Sequence, residues 1–193
     1  MWFKENEKRL RKFEQDPDKY LNEISKEAKK IQSGLVIELE PPKNNLITMT
    51  ISADGVRELF IIVKTIIDKA PKMDGWNFIA FRQRIDSDKV KGMTVKLGNY
   101  KLNPQSIKFF PMPDVDTLDV IIYIKGVTEE NYNDIAYGGL LLIDNILGEY
   151  DCVTKIRTYD FHNMPTKKQE LDNLFPLLDL AAYVDRFHSS EKR

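Results

Sequence analysis

Between Val56 and Ala70 the apolar side chains Val56, Leu59, Phe60, Val63, Ile66, Ile67 and Ala70 recur at three- and four-residue spacing. That spacing lines one face of a helix, and the face has to be buried. Pro71 cannot extend the helix and biases Ala70 out of helical backbone. Gly75 permits a tight corner before Trp76. The stretch that follows, "GWNFIAFRQR", has apolar residues on both alternating faces, which predicts a central strand covered on each side. The corner therefore needs no chemistry to explain it, and the chain must combine helices and sheet in one architecture.

The remaining elements follow from similar signals. "LVIELEPP" and "NLITMTIS" read as a hairpin around the turn chemistry of "PPKNN". "GMTVKLGNYKL" and "IKFFPMP" read as peripheral strands, with Pro111 and Pro113 placing the second at an edge or stopping it early. In "TLDVIIYIKG", Leu118, Val120, Ile122 and Ile124 alternate toward one side. A second amphipathic helix follows, with Thr128 as its cap and a stripe of Tyr132, Ile135, Ala136, Gly139, Leu142, Ile143 and Ile146. Gly148 ends it. Gly138 and Gly139 lie inside that helix and suit close packing better than phosphate binding, because a phosphate loop precedes its helix. "DCVTKIRTYDFH" reads as the last strong strand, and "LDNLFPLLDLAAYVDRFH" as a closing helix interrupted near Pro176.

Neighbouring strands with few interposed helices predict an α+β fold, a mainly antiparallel sheet with the two strong helices across one face. Residues 1–33 form an N-terminal helical extension in this reading, with Asp16-Pro17 starting its second helix and Tyr20, Leu21, Ile24, Ala28 and Ile31 as a thin apolar stripe. Residues 34–188 form a single α+β domain, and 189–193 a frayed tail that His188 adjoins. No internal repeat or low-complexity segment is visible.

A chain of 193 residues can bury a core without staples, and 42% hydrophobic with 31% charged residues is a globular composition. The 29 basic and 30 acidic side chains leave no positive excess for a nucleic acid backbone. Cys152 is the only cysteine, which excludes an internal disulfide and fits a reducing, cytoplasmic setting. The charged start has no leader-like apolar run, and no segment has the length of a membrane span.

The succession "ISADG", amphipathic helix, "APKMDGW", "FRQR" and the late "YGGLLLIDNILGEYD" resembles uncharacterised bacterial proteins grouped as domains of unknown function, over roughly Leu35 to Phe187. The resemblance implies a small intracellular α+β protein and no particular activity.

Two polar clusters could carry chemistry. Alternation along the last strand places Asp160 beside His162, the pairing in which a carboxylate orients a histidine base. Cys152, about 30 Å away along an extended strand, cannot complete a triad with them, and Asp151 next to it raises rather than lowers the thiol pKa. A strand-end histidine more commonly just satisfies a neighbour. The second cluster is cationic. Arg82 and Arg84 close the predicted central strand, and Lys155, Arg157, Tyr159 and Phe161 share the other face of the last strand. On an open sheet face, Arg82, Arg84, Arg157 and Tyr159 could clamp a carboxylate or phosphate, or simply form stabilising cross-strand pairs. Two scattered histidines give no metal-ligand grouping, so no metal and no cofactor is expected. The function this predicts is a non-catalytic protein-interaction or regulatory module, engaging a partner through the N-terminal helices. The alternative is a small-molecule binder or hydrolytic enzyme at the cationic and aromatic face near His162.

Overall fold

The structure, a computed structural model, describes residues 2–190. Its internal contacts group the chain into two compact units, one ending at Arg82 and the other beginning at Gln83. The α+β class expected from the sequence is what the chain adopts. The single platform expected for both strong helices is instead two main sheets, with one of those helices in each unit.

In the first unit, α1 (Trp2–Leu10) and α2 (Pro17–Ile31) are joined by a short 3-10 turn. Asp16 caps α2 by accepting from the Lys19 N–H at 3.3 Å, with Pro17 in the first turn where its missing N–H costs nothing. Leu10, Phe13, Tyr20, Ile24 and Ala28 turn the buried faces of this segment inward. Strands β1 (Val36–Lys43) and β2 (Leu46–Ser52) form an antiparallel hairpin. Its two-residue turn, Asn44 and Asn45 at φ 53° and 63°, uses the residue type that best tolerates left-handed backbone after glycine. The chain crosses over through α3 (Phe60–Asp68) and returns as β3 (Trp76–Ala80), parallel to β2.

The sheet order β1-β2-β3 puts Trp76–Ala80 at an edge, which corrects the expectation of a central strand. Apolar residues on both faces report that the faces are covered, not that both hydrogen-bonding edges are paired. Here Phe3 stands edge-on to Trp76 and Phe78, at 4.9 and 5.3 Å between ring centroids.

The second unit contains α4 (Ser87–Lys91) and the small hairpin β4 (Val95–Leu97) and β5 (Tyr100–Leu102). Strands β6 (Lys108–Asp114) and β7 (Thr117–Ile124) then form a longer hairpin. The chain continues through α5 (Tyr132–Leu147) and α6 (Glu149–Thr154) to β8 (Thr158–Asn163), parallel to β7. After α7 (Lys168–Leu171), the short β9 (Phe175–Pro176) and α8 (Leu180–Ser190) close the unit. The sheet order is β8-β7-β6-β9. Because β9 pairs only with Lys108 and Phe109, Pro111 and Pro113 lie where β6 has β7 on one side and no strand on the other, as their missing N–H groups require. Leu118, Val120, Ile122 and Ile124 are all buried, as their alternation predicted.

The two units share one arrangement. Each has a hairpin with a two-residue turn, then a helical crossover, then a strand parallel to the hairpin's second strand on the side away from the first. Gly55 and Gly126, at φ 77° and 87°, both sit where the middle strand gives way to the crossover. This recurring ββαβ order is invisible as a sequence repeat.

Three local readings change. Residues 149–154 are helical rather than the start of a strand. Gly148 at φ 73° reverses the chain, and Glu149 and Asp151 then sit in a helical first turn, where negative charge is favoured. Thr128 is not the cap of α5. The helix starts at Tyr132, and buried Asn131 organises the approach, accepting from the Thr128 N–H at 2.8 Å and donating to the Gly126 carbonyl at 2.9 Å. His188 belongs to α8, where its Nε2 lies 2.8 Å from the Lys155 carbonyl. Of the expected frayed tail, Ser189 and Ser190 continue α8, and 191–193 lie outside the described residues.

Candidate functional site

The residues singled out from sequence go to separate places. On β8, Asp160 and His162 share a face, with His162 Nε2 2.7 Å from Asp160 Oδ2. Tyr132 of α5 donates to Asp160 Oδ1 at 3.0 Å, and the Phe161 N–H donates to the same oxygen at 2.9 Å. These donors, His162 first among them, hold the Asp160 carboxyl below the ordinary carboxylate range. Burial, reinforced by the hydrogen bond to Asp160, pushes the Tyr132 phenol up. The cluster lines a shallow, open depression with Thr128, Glu129 and Asn133.

Tyr159 and Phe161 have the opposite parity. The sequence reading put them on an open face; they lie on the covered one. Phe161 is 4% exposed under α5. Tyr159 donates to the Cys152 carbonyl at 2.9 Å and reaches Cys152 Sγ at 3.3 Å, and burial raises its phenol well above the usual range. The open face is the one bearing Asp160 and His162.

The three arginines have separate carboxylate partners. Arg82, in the first unit, donates to Glu38 at 2.6 Å and Asp54 at 2.8 Å. Arg84, in the second, spans the Leu147 carbonyl at 3.0 Å, Asp151, and Asp185 at 2.7 and 2.8 Å, tying the end of α5 to α6 and α8. Arg157 forms a two-pronged pair with Asp119, one contact being 2.9 Å, and reaches Asp114 at 3.4 Å. Each guanidinium fork is already engaged, so they do not assemble into one anion clamp. Among the described residues no group of three His, Cys, Asp or Glu stands together to hold a metal ion, and no helix is long and apolar enough to cross a membrane.

A second, more enclosed concavity was not foreseen. It is a cavity of about 610 Å³ within the first unit, inside the size range of small-molecule sites. Its floor is the inner sheet face, with Leu35 just before β1, Ile37 on β1, Met49 and Ile51 on β2, and Phe78 on β3. Trp2 and Phe3 wall it from α1, Ile24 and Ala28 from α2, and Ile62 and Ile66 from α3. Among the described residues, the polar side chains that join it are Glu27, Lys30, Thr65 and Lys69. The corresponding helix-to-sheet space of the second unit is filled. There α5 brings Gly139 against Phe161 and Gly138 against Leu97 and Leu102.

Family models, curated proteins and solved structures all return no match to this chain.

The cavity residues were legible only as helix stripes and strand faces. Periodicity says that Ile24, Ala28, Ile37 and Met49 face inward, and it cannot say whether the opposing surfaces meet. The one hint is Ala28, a small side chain on an otherwise bulky stripe.

Proposed function

We propose that this protein is a non-catalytic regulatory module whose first unit takes up an apolar small molecule. The cavity of about 610 Å³ carries this reading. Packed interiors leave few voids larger than a water, and a concavity walled by three helices and a sheet, almost wholly by hydrocarbon and aromatic side chains, has the make-up of a ligand pocket. Because α1 and α2 supply two of its walls, an occupant would change how firmly these helices sit on the sheet. A protein partner contacting them would then read the occupancy. A cytoplasmic setting, supported by the lone cysteine, belongs to the same proposal, as does a bacterial one, which rests on the resemblance alone.

Titration calorimetry with dodecanol, at concentrations where it stays monomeric, tests the cavity. Binding with a negative heat-capacity change is expected for wild type. Ala28→Phe, which fills the space from α2, should keep its melting temperature and lose binding. Ala70→Leu serves as a second filling variant. No binding by the wild-type protein, or equal binding by folded filled variants, would refute the proposal.

A second reading, hydrolysis at the open face of β8, is favoured by the 2.7 Å contact of His162 with Asp160 and by the Tyr132 hydroxyl on the same carboxylate. Turnover of short-chain aryl esters that disappears in His162→Ala would support it; equal rates in both proteins would dismiss it.

A further inference from the structure

We infer that the occupant of the first-unit cavity is a single-chain carboxylate, its hydrocarbon tail on the sheet floor and its head group at Lys69. This rests on the cavity being a binding site, and it assigns the chemistry of the ligand.

The tail follows from what the floor offers. Leu35, Ile37, Met49 and Ile51 are all under 9% exposed, and none has a hydrogen-bonding side chain. A hydroxyl or carbonyl placed against them would lose its water without replacement, a penalty of the kind that keeps polar groups out of unmatched interiors. The buried part of the ligand is therefore free of heteroatoms. The floor crosses three strands, which at ~4.8 Å between neighbours makes it about 10 Å wide. An extended alkyl chain can lie across it.

The head follows from the polar side chains that remain. Glu27 and Lys30 are paired with each other at 2.6 Å, and the Thr65 hydroxyl donates to the Ile61 carbonyl at 2.7 Å. Lys69 is solvent-exposed and has no acidic partner among the described residues. One ammonium is left over at the cavity, so the complementary ligand carries one negative charge there. A carboxylate fits better than a phosphate. Among the described residues no arginine lines the cavity to offer the two-pronged geometry that phosphate favours. Lys69 also caps the C-terminal end of α3, whose partial negative charge opposes a dianion more than a monoanion.

The test compares laurate with dodecanol, equal in chain length and different in head group, by titration calorimetry on the full chain below micelle formation. Laurate should bind roughly two- to fivefold more tightly, the range for an exposed ion pair, and the preference should shrink as salt rises. Lys69→Met should remove the preference and leave dodecanol binding unchanged, while Lys72→Met, a neighbouring lysine outside the lining, should change neither. Equal affinities in wild type, or a preference that survives Lys69→Met, would overturn the carboxylate assignment and leave the apolar cavity standing. Failure of both ligands to bind would remove the cavity proposal together with this one.

Discussion

Gly139 of α5 lies directly on Phe161 of β8: a Cβ built on the glycine would stand 2.4 Å from the ring's Cε1. Elsewhere in a helix, glycine to alanine is a gain of about 0.5–1 kcal/mol. Here the ring is rigid and 4% exposed, so the helix must lift. Gly139→Ala should lower stability by about 1–3 kcal/mol, as overpacking does, read from urea unfolding of the second unit. Gly138→Ala meets the tips of Leu97 and Leu102, which can rotate away, and should cost less. A stabilised Gly139→Ala would show that α5 does not need this close approach.

Val115 occupies the turn between β6 and β7 with φ 48° and is 91% exposed. A β-branched residue in left-handed backbone is strained, at a cost of about 1–3 kcal/mol. Val115→Gly should therefore raise the unfolding free energy by about 0.5–1 kcal/mol, after glycine's greater chain entropy is deducted. No contact made by the side chain offsets this, so an unchanged or lower denaturation midpoint would mean the turn is not under strain.

Cys152 illustrates where sequence reasoning found the right direction from an incomplete cause. The adjacent Asp151 suggested a raised thiol pKa. In the structure burial is the largest influence, with Asp144 and Glu149 adding to it against the Tyr159 hydrogen bond, and the thiol is pushed up to about 11. Near pH 8 the thiolate fraction falls by roughly two orders of magnitude relative to an ordinary cysteine. Reaction with a chromogenic disulfide reagent should be correspondingly slow in the native protein and rapid in urea. Fast native labelling would contradict this burial.

Asp119 should shape the acid limb of stability. The hydrogen bonds from Arg157, then from the Thr158 hydroxyl at 2.7 Å, lower its pKa to about 2. A carboxyl whose pKa is lower folded than unfolded stabilises the native state above its unfolded pKa, near ~3.9. That contribution is lost as pH falls through the folded value. Arg157→Leu should flatten the dependence of the urea midpoint on pH between about 4 and 2, with little change in slope at neutral pH. An identical acid limb in both proteins would separate Asp119 from acid unfolding.

What the sequence disclosed was local. The stripe of α5, the alternation of β7, the cap at Asp16 and the stop at Gly148 are each determined by a few adjacent side chains, and all are present. What it withheld depends on distant segments. "DCVT" has strand-forming residues, but the turn at Gly148 and the contacts of Arg84 with Asp151 and Asp185 place it in a helix. Arg82, Arg84 and Arg157 read as one cluster because their partners lie 28 to 101 residues away along the chain. For the site itself, alternation put Asp160 next to His162 correctly. The cavity was out of reach, because an empty volume is a relation among surfaces and has no residue of its own.

The recurring ββαβ order also bears on how the chain comes to be folded. The first main sheet pairs residues between Val36 and Ala80, and the second begins only at Lys108. Strand pairing in one thus requires nothing from the other. At roughly 5–20 residues per second, translation gives the earlier sheet more than a second to close before the later one has its first strand, ample for a small mixed sheet that folds in milliseconds to seconds. Biogenesis can then proceed in two sequential steps, with each short-range closure removing sticky β-edges before the next set emerges.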